Sequence, residues 1–368
     1  MTIVITCDEP WSGMLHTQLR YALELSKHHH VIFINPPLRW PPFLFGQTFK
    51  PWNIHENLTI VPYFNLLPVL KTNFLSIRIN DWINFLRLRR LLKKVPGKII
   101  FWRFDYKRMI FPTRFFSRLP SIYHVVDDYR NRKHTPYVLR YTNLVITTSP
   151  RNKDYFSNKH PHVYCYPQAI QDNDMAYDER SVKSLQQQYG SYILFTGLLS
   201  DANNIELLLQ IARTFSNTAL LLIGKNDLKQ PGNQSVFSRL LAQSNVHYLG
   251  VIDGLKLNNY IRAATACIVP YHFQPENNGT IRSPLKALLY LAQYKPVITT
   301  FDCEISALEN KAIYKAKSEQ HFISLIDAAL KQQLAFDRKA VDDYLHYARY
   351  DKFINEILSL LDKVTSGK

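Results

Sequence analysis

Ser283, Pro284 and Lys286 stand where a polar loop turns into a leucine-rich helix, an arrangement suited to holding phosphate. Asn277, Asn278, Gly279 and Thr280 are turn formers, Ser283 is a capping residue, and Pro284 fits the first helical position. The helix predicted from Leu285 to Gln293 starts there, and Lys295-Pro296 releases the chain into the β-branched run Val297 to Thr300. Free backbone N–H groups at a helix start favour an anion, and Lys286 in the first turn opposes the helix dipole unless an anion lies nearby. Thr280, Arg282, Ser283 and Lys286 are therefore candidate phosphate ligands.

Other candidates follow the ends of apolar runs. Asp127 and Asp128 come after Tyr123-His124-Val125-Val126, and paired carboxylates at the end of a buried strand are costly unless they hydrogen-bond or do chemistry. A plainer role is open to both: Asp128 capping the next helix, and Asp127 pairing with Arg130 or Arg132. Arg103, after Trp102, suits either a ligand phosphate or an ion pair with Asp105. Gly13 and Gly197 come shortly after apolar runs, where one glycine alone says little, and Lys225 after Gly224 suits phosphate or solvent. Cys7, Cys165, Cys267 and Cys303 lack metal-ligand spacing, which argues against zinc and against a disulfide framework. No Asp-x-Asp pair follows a strand to suggest a metal site.

The elements that must carry these residues alternate. Short apolar strands are predicted at Ile3–Thr6, Val31–Asn35, Leu58–Pro62, Lys98–Trp102, Ser121–Val126 and Leu144–Thr148, with helical patterns between several of them, such as Leu15–Lys27. Ser149 reads as the cap of a helix after the last of these. A second series runs Tyr192–Thr196, Ala219–Ile223, Val246–Leu249, Ala266–Val269 and Pro296–Thr299. Alternation of this kind predicts α/β architecture with parallel sheets covered by helices on both faces, and ligands at the carboxyl ends of the strands. At 368 residues, two domains are the prior. The polar stretch Pro167–Gln187 reads as a linker, dividing residues 1–168 from 169–345, and residues 346–368 as a closing helix with Tyr350, Phe353, Ile354, Ile357, Leu358 and Leu361 on one face.

These residues carry a family resemblance. Ser283-Pro284-Leu285-Lys286, Tyr290-Leu291-Ala292 and Lys295-Pro296-Val297 resemble the donor-site signature of GT-B fold retaining glycosyltransferases of family 4 (group 1), in the branch of teichuronic-acid-type polysaccharide transferases. Leu194-Phe195-Thr196-Gly197, Asn204-Ile205-Glu206-Leu207-Leu208, Leu222-Ile223-Gly224-Lys225, His247-Tyr248-Leu249-Gly250 and Val269-Pro270-Tyr271 match further segments in the family's order. So do Tyr123 to Tyr129 and Val145 to Pro150. The departures are specific. The family usually has glutamate where this chain has Leu289, and the earlier of its two glutamates would fall at Ile281. It usually has glycine at Tyr294, arginine at Leu198 and lysine near Asn203 or Asn204.

The resemblance implies two Rossmann-like domains facing a central cleft, with the first binding the acceptor, the second binding the nucleotide-sugar, and the closing helix crossing back to the first. It implies an enzyme, a hexosyltransferase-like family 4 glycosyltransferase that is retaining and metal-independent and needs no cofactor beyond its donor, UDP-sugar foremost. The acceptor is expected to be lipid-linked or a cell-envelope polysaccharide. The implied donor-binding residues are Gly13, Gly197, Lys225, Thr280, Arg282, Ser283 and Lys286. Asp127 and Asp128 are the implied catalytic pair, and Arg103 is a candidate for an acceptor phosphate. The missing acidic and basic residues favour an alternative, a catalytically degenerate GT-B subunit that binds a partner glycosyltransferase or the membrane.

Charge locates the expected partner surface. The chain carries a formal +16, and residues 1 to 180 hold 25 Lys and Arg against 13 Asp and Glu, a balance of +12. Arg87, Arg89, Arg90, Lys93, Lys94 and Lys98 interleave with leucines, as in a basic amphipathic helix on an anionic membrane, although a solvated helix face has the same pattern. Trp40 and Phe43, in a proline-rich aromatic loop that Phe49 and Trp52 follow, are a second membrane-facing candidate. No apolar run is long enough to span a bilayer, the amino terminus lacks a signal-peptide pattern, and no nucleic-acid-binding module is recognisable. The expectation is a cytoplasmic protein, peripheral on the inner face of the plasma membrane.

Overall fold

Runs of β-branched and leucine residues buried on both faces build two parallel sheets in the computed structural model. It describes residues 1–11, 16–36, 50–68, 74–95, 97–106, 108–110, 118–126, 132, 134–252, 254–273, 285–301 and 305–367. The chain divides into two units, residues 1–167 with 350–368, and residues 168–349.

The first unit runs β1 (Thr2–Thr6), α1 (Thr17–Ser26), β2 (His30–Asn35), β3 (Trp52–His55), β4 (Leu58–Pro62), α2 (Phe74–Leu92), β5 (Ile99–Arg103), β6 (Ser121–Val125), α3 (Thr135–Arg140), β7 (Leu144–Thr147), α4 (Pro150–Ser157) and β8 (Val163–Cys165). Its sheet order is β3-β4-β2-β1-β5-β6-β7-β8. All neighbours are parallel except β3, which pairs antiparallel with β4 at the edge. Every residue of β1 is buried, as a central two-faced strand requires. The Ser149 side chain caps α4 by accepting from the Asn152 N–H, as expected from the sequence.

The second unit continues with α5 (Glu179–Tyr189), β9 (Tyr192–Thr196), α6 (Ile205–Thr214), β10 (Ala219–Ile223), α7 (Pro231–Leu241), β11 (Val246–Gly250), α8 (Gly254–Ala263), β12 (Ala266–Val269), α9 (Leu285–Ala292), β13 (Val297–Thr299), β14 (Ile313–Lys315), α10 (Glu319–Leu330) and α11 (Arg338–Tyr347). Its sheet, β11-β10-β9-β12-β13-β14, is parallel throughout. One core layer packs α8, α9 and α11 on one face, and a second packs α6, α7 and α10 on the other. The stretch Pro167–Gln187, read as a linker, begins where the two units divide and runs on into most of α5. Asp178 caps that helix, and Val182 and Leu185 bury its inner side, a two-residue stripe too sparse to stand out in a polar sequence.

The final helix, α12 (Tyr350–Ser366), belongs to the first unit and buries Tyr350, Phe353, Ile354, Ile357, Leu358 and Leu361. Tyr350 meets Tyr21 of α1 edge to face at 4.9 Å, Phe353 meets Tyr166 at 5.1 Å, and Lys98 pairs with Asp362 at 2.5 Å.

Beneath α1 lies an aromatic cluster around His124 of β6. Phe104 stacks on its ring at 4.7 Å and Tyr21 meets it at 4.8 Å. The Trp102 indole donates to His124 Nδ1 at 3.3 Å, so the ring is neutral with its proton on Nε2. Burial pushes its pKa down from 6.5 to about 3. The unfolded chain binds this proton between those two values and the folded chain does not, so stability falls as pH drops through that window. His124→Phe should flatten the decline of the urea midpoint between pH 6.5 and 4, and a variant whose midpoint falls as steeply as the parent's would refute that role.

Candidate functional site

The carboxyl ends of β9, β10 and β11 each finish in a glycine with positive φ: Gly197 at 108°, Gly224 at 145° and Gly250 at 67°. A Cβ on Gly224 would lie 1.9 Å from the Gly197 carbonyl oxygen, so the two loops stack backbone on backbone. The Gly197 N–H donates to the Ile223 carbonyl at 2.8 Å and the Gly224 N–H to the Gly250 carbonyl at 2.7 Å. Gly197 and Gly224 therefore allow this close stacking, while their own donors are spent within the sheet edge.

Charge enters from α9. A Cβ on Gly197 would meet Lys286 Cε and Nζ at 3.0 Å, so the lysine lies directly over that loop. Its ammonium sits 4.6 Å from the centre of the Phe195 ring and 5.5 Å from that of Tyr271. Among the described residues it has no carboxylate partner. The glycine edge, an aromatic wall and an uncompensated ammonium together suit an anionic, phosphate-bearing ligand.

Two tyrosines that the sequence did not single out hold this edge in place. The Tyr290 hydroxyl, on the second turn of α9, accepts from the Thr196 N–H at 2.8 Å and the Thr196 hydroxyl at 3.1 Å. The Tyr248 hydroxyl donates to the Gly224 carbonyl at 3.0 Å. Both tyrosines fall within segments that match the family pattern, but a hydroxyl that reaches another element has no periodic signature. Asn203 and Asn204, where the family's lysine would fall, are structural. Asn203 is buried and accepts from the Ser200 N–H, while Asn204 caps α6 and donates to Glu319 at 2.8 Å. Leu289 belongs to the core, and Leu198 is 41% exposed beside Gly197. Lys225 is exposed at the next strand end, its carbonyl accepting from Leu199. Tyr294, where the family has glycine, has φ 55°. Its hydroxyl donates to Asp342 at 2.7 Å, and Arg338 covers its ring at 4.4 Å.

In the first unit, Arg103 is only 2% exposed, and its guanidinium donates to the carbonyls of Arg108 and Met109 at 2.6 and 2.9 Å. Asp81 of α2 braces the same turn, accepting from the Met109 and Ile110 N–H groups and the Tyr63 hydroxyl. Arg103 thus pins a buried turn through backbone carbonyls. Arg89, Arg90, Lys93 and Lys94 are exposed at the carboxyl end of α2. Trp52, read as part of an aromatic loop, opens edge strand β3. The remaining candidates, Gly13, Trp40, Phe43, Asp127, Asp128, Thr280, Arg282 and Ser283, lie outside the described residues, as does Ile281. Among the described residues no group of His, Cys, Asp and Glu could hold a metal ion, and no helix is long and apolar enough to cross a membrane.

Residues 190–332, which span β9 to α10, match the sequence model of the family described as Glycosyl transferases group 1. No curated protein matches the chain. Three solved structures are similar over nearly their whole length. HepE from Anabaena, in complex with UDP and glucose, is 14% identical with a TM-score of 0.68, over 98% of this chain and 99% of its own. Sucrose-phosphate synthase from Thermosynechococcus elongatus is 12% identical with a TM-score of 0.72, over 100% of both chains. WaaG, a glycosyltransferase involved in lipopolysaccharide biosynthesis, is 14% identical with a TM-score of 0.61, over 99% of both. Identities this low establish the fold, which is that of GT-B enzymes with two Rossmann-like domains. With the group 1 match on its second unit, the chain is a glycosyltransferase of the GT-B fold.

Proposed function

We propose that this enzyme moves a sugar from a nucleotide-sugar donor, UDP-sugar foremost, to a lipid-linked or cell-envelope polysaccharide acceptor with retention of configuration. The observation that carries the donor assignment is the uncompensated Lys286 ammonium over the Gly197 loop, inside the segment that matches the group 1 family. HepE, similar in fold, has been crystallised with UDP-glucose, which favours UDP as the nucleotide. WaaG's place in lipopolysaccharide biosynthesis favours an envelope acceptor.

In this proposal the diphosphate lies against the glycine edge, and Lys286 neutralises the charge that grows on it as the glycosidic bond breaks. Lys225 offers a second cation from the neighbouring strand end. From the sequence, Thr280, Arg282 and Ser283 are proposed as further phosphate ligands, and Leu289 leaves the ribose hydroxyls without the usual carboxylate. Catalysis then rests on holding the leaving group rather than on an abundance of charged side chains.

The membrane reading rests on the outer face of α2. Leu75 and Leu86 are 64% and 50% exposed there, beside exposed Arg78, Arg89, Arg90, Lys93 and Lys94. Exposed leucines among cations suit the interface of an anionic bilayer, and we propose peripheral attachment through this helix.

Calorimetry should detect binding of UDP, and Lys286→Ala should weaken it by about 10- to 100-fold, the loss expected for one charge-assisted contact. No binding of UDP, GDP or dTDP would leave only the degenerate-subunit alternative. Replacing Arg89, Arg90, Lys93 and Lys94 with glutamine should release the chain from anionic liposomes in flotation, and an unchanged profile would remove α2 as the anchor.

A further inference from the structure

The first unit contains a second concentration of uncompensated charge, remote in sequence from the donor segment and from α2. β6, β7 and β8 are consecutive, adjacent and parallel, so right-handed crossovers put α3 and α4 on one face of the sheet. An open groove of about 820 Å³ runs along these helices. Arg132, Arg140 and Lys159 line it together with the hydroxyl-bearing Thr135, Thr142 and Tyr155, and none of the described lining residues is a carboxylate.

None of the three cations has an ion-pair partner among the described residues. Lys159 is positioned rather than free to sweep: its ammonium lies 3.9 Å from the centre of the Tyr155 ring and donates to the Tyr155 hydroxyl. The neighbouring His160 is locked, with Nε2 3.0 Å from the Thr142 carbonyl and Nδ1 3.2 Å from His162, which fixes the groove wall next to Lys159. The carboxyl end of α3 attracts one cation, Arg140, but that helix has six residues and its dipole accounts for neither of the others. Three like charges held around one concave surface repel one another unless an anion sits among them. The volume falls within the range of small-ligand sites.

We propose that this groove binds a phosphate-bearing ligand, independently of the nucleotide site in the second unit. The shared chemistry is a phosphate met by two or three cations. Its source is either a soluble phosphate ester or the headgroup of an anionic lipid, and the two are separated by experiment.

The test uses the full chain carrying Lys286→Ala, which weakens the second unit's site. Arg140→Gln with Lys159→Gln keeps both side-chain stems and removes two charges, and either single substitution serves if the pair alters the thermal midpoint. The control pair Lys311→Gln with Lys317→Gln removes the same charge from exposed positions on the second unit. Inorganic pyrophosphate is titrated calorimetrically, and flotation is measured on phosphatidylcholine vesicles with and without phosphatidic acid. A loss of about tenfold or more in pyrophosphate affinity, absent in the control pair, supports a soluble ligand. Loss of flotation on phosphatidic acid vesicles alone, again absent in the control, supports a headgroup. Unchanged behaviour in both arms, or an equal loss in the control pair, overturns the proposal.

Discussion

At residue 224 the protein tolerates no side chain, because the Gly197 carbonyl occupies the place where a Cβ would go. That contact sets how closely the loops after β9 and β10 stack, and the rest of the site is arranged around it. With the loops stacked, the Gly197 surface is flat enough for Lys286 to lie across it. Tyr290, on the same helix as Lys286, closes onto Thr196 at the end of β9. One short helix thus carries both the charge and the clasp that registers that charge against the strand end. A parallel sheet makes this possible, since all of its strands deliver their carboxyl ends to one edge.

Much of this was legible because two-faced burial leaves a strong imprint on sequence. In the second unit, β9, β10, β12 and β13 read as short runs of apolar and β-branched residues, and the resemblance puts Gly197, Lys225 and Lys286 in family order. What escaped were features without periodicity. β3 is an exposed edge strand with no buried face to pattern it, and α5 hides in a polar stretch behind two buried residues. Asn204 looked like a site departure and is a helix cap, because capping and ligand binding draw on the same small polar side chains. Arg103 ends a strand, where ligand contacts concentrate, and its guanidinium holds backbone carbonyls that sequence alone does not bring near.

Charge is arranged differently in the two units. In the second, Lys286 is the cation set against an aromatic wall and a glycine edge, a compact arrangement suited to one anionic group. In the first, cations are spread over the end of α2 and the groove along α3 and α4, while Arg103 is locked inside. The +12 of residues 1 to 180 is thus mostly a surface property, and a surface charge acts on partners over about a Debye length of 10 Å.

Tyr294 has a consequence for the order in which the second unit assembles. It occupies a left-handed position directly after α9, where a glycine would let the chain turn into β13 without help. The tyrosine offsets that strain through Asp342 and Arg338 on α11, 48 and 44 positions later in the chain. The turn behind the Lys286 helix is closed by local backbone bonds from Tyr294 to Leu291 and from Lys295 to Tyr290, and the non-local contact braces it later, because a long loop must first be ordered. During synthesis, that brace can form only after α11 has left the ribosome, so the turn behind the Lys286 helix gains it later than its own local hydrogen bonds.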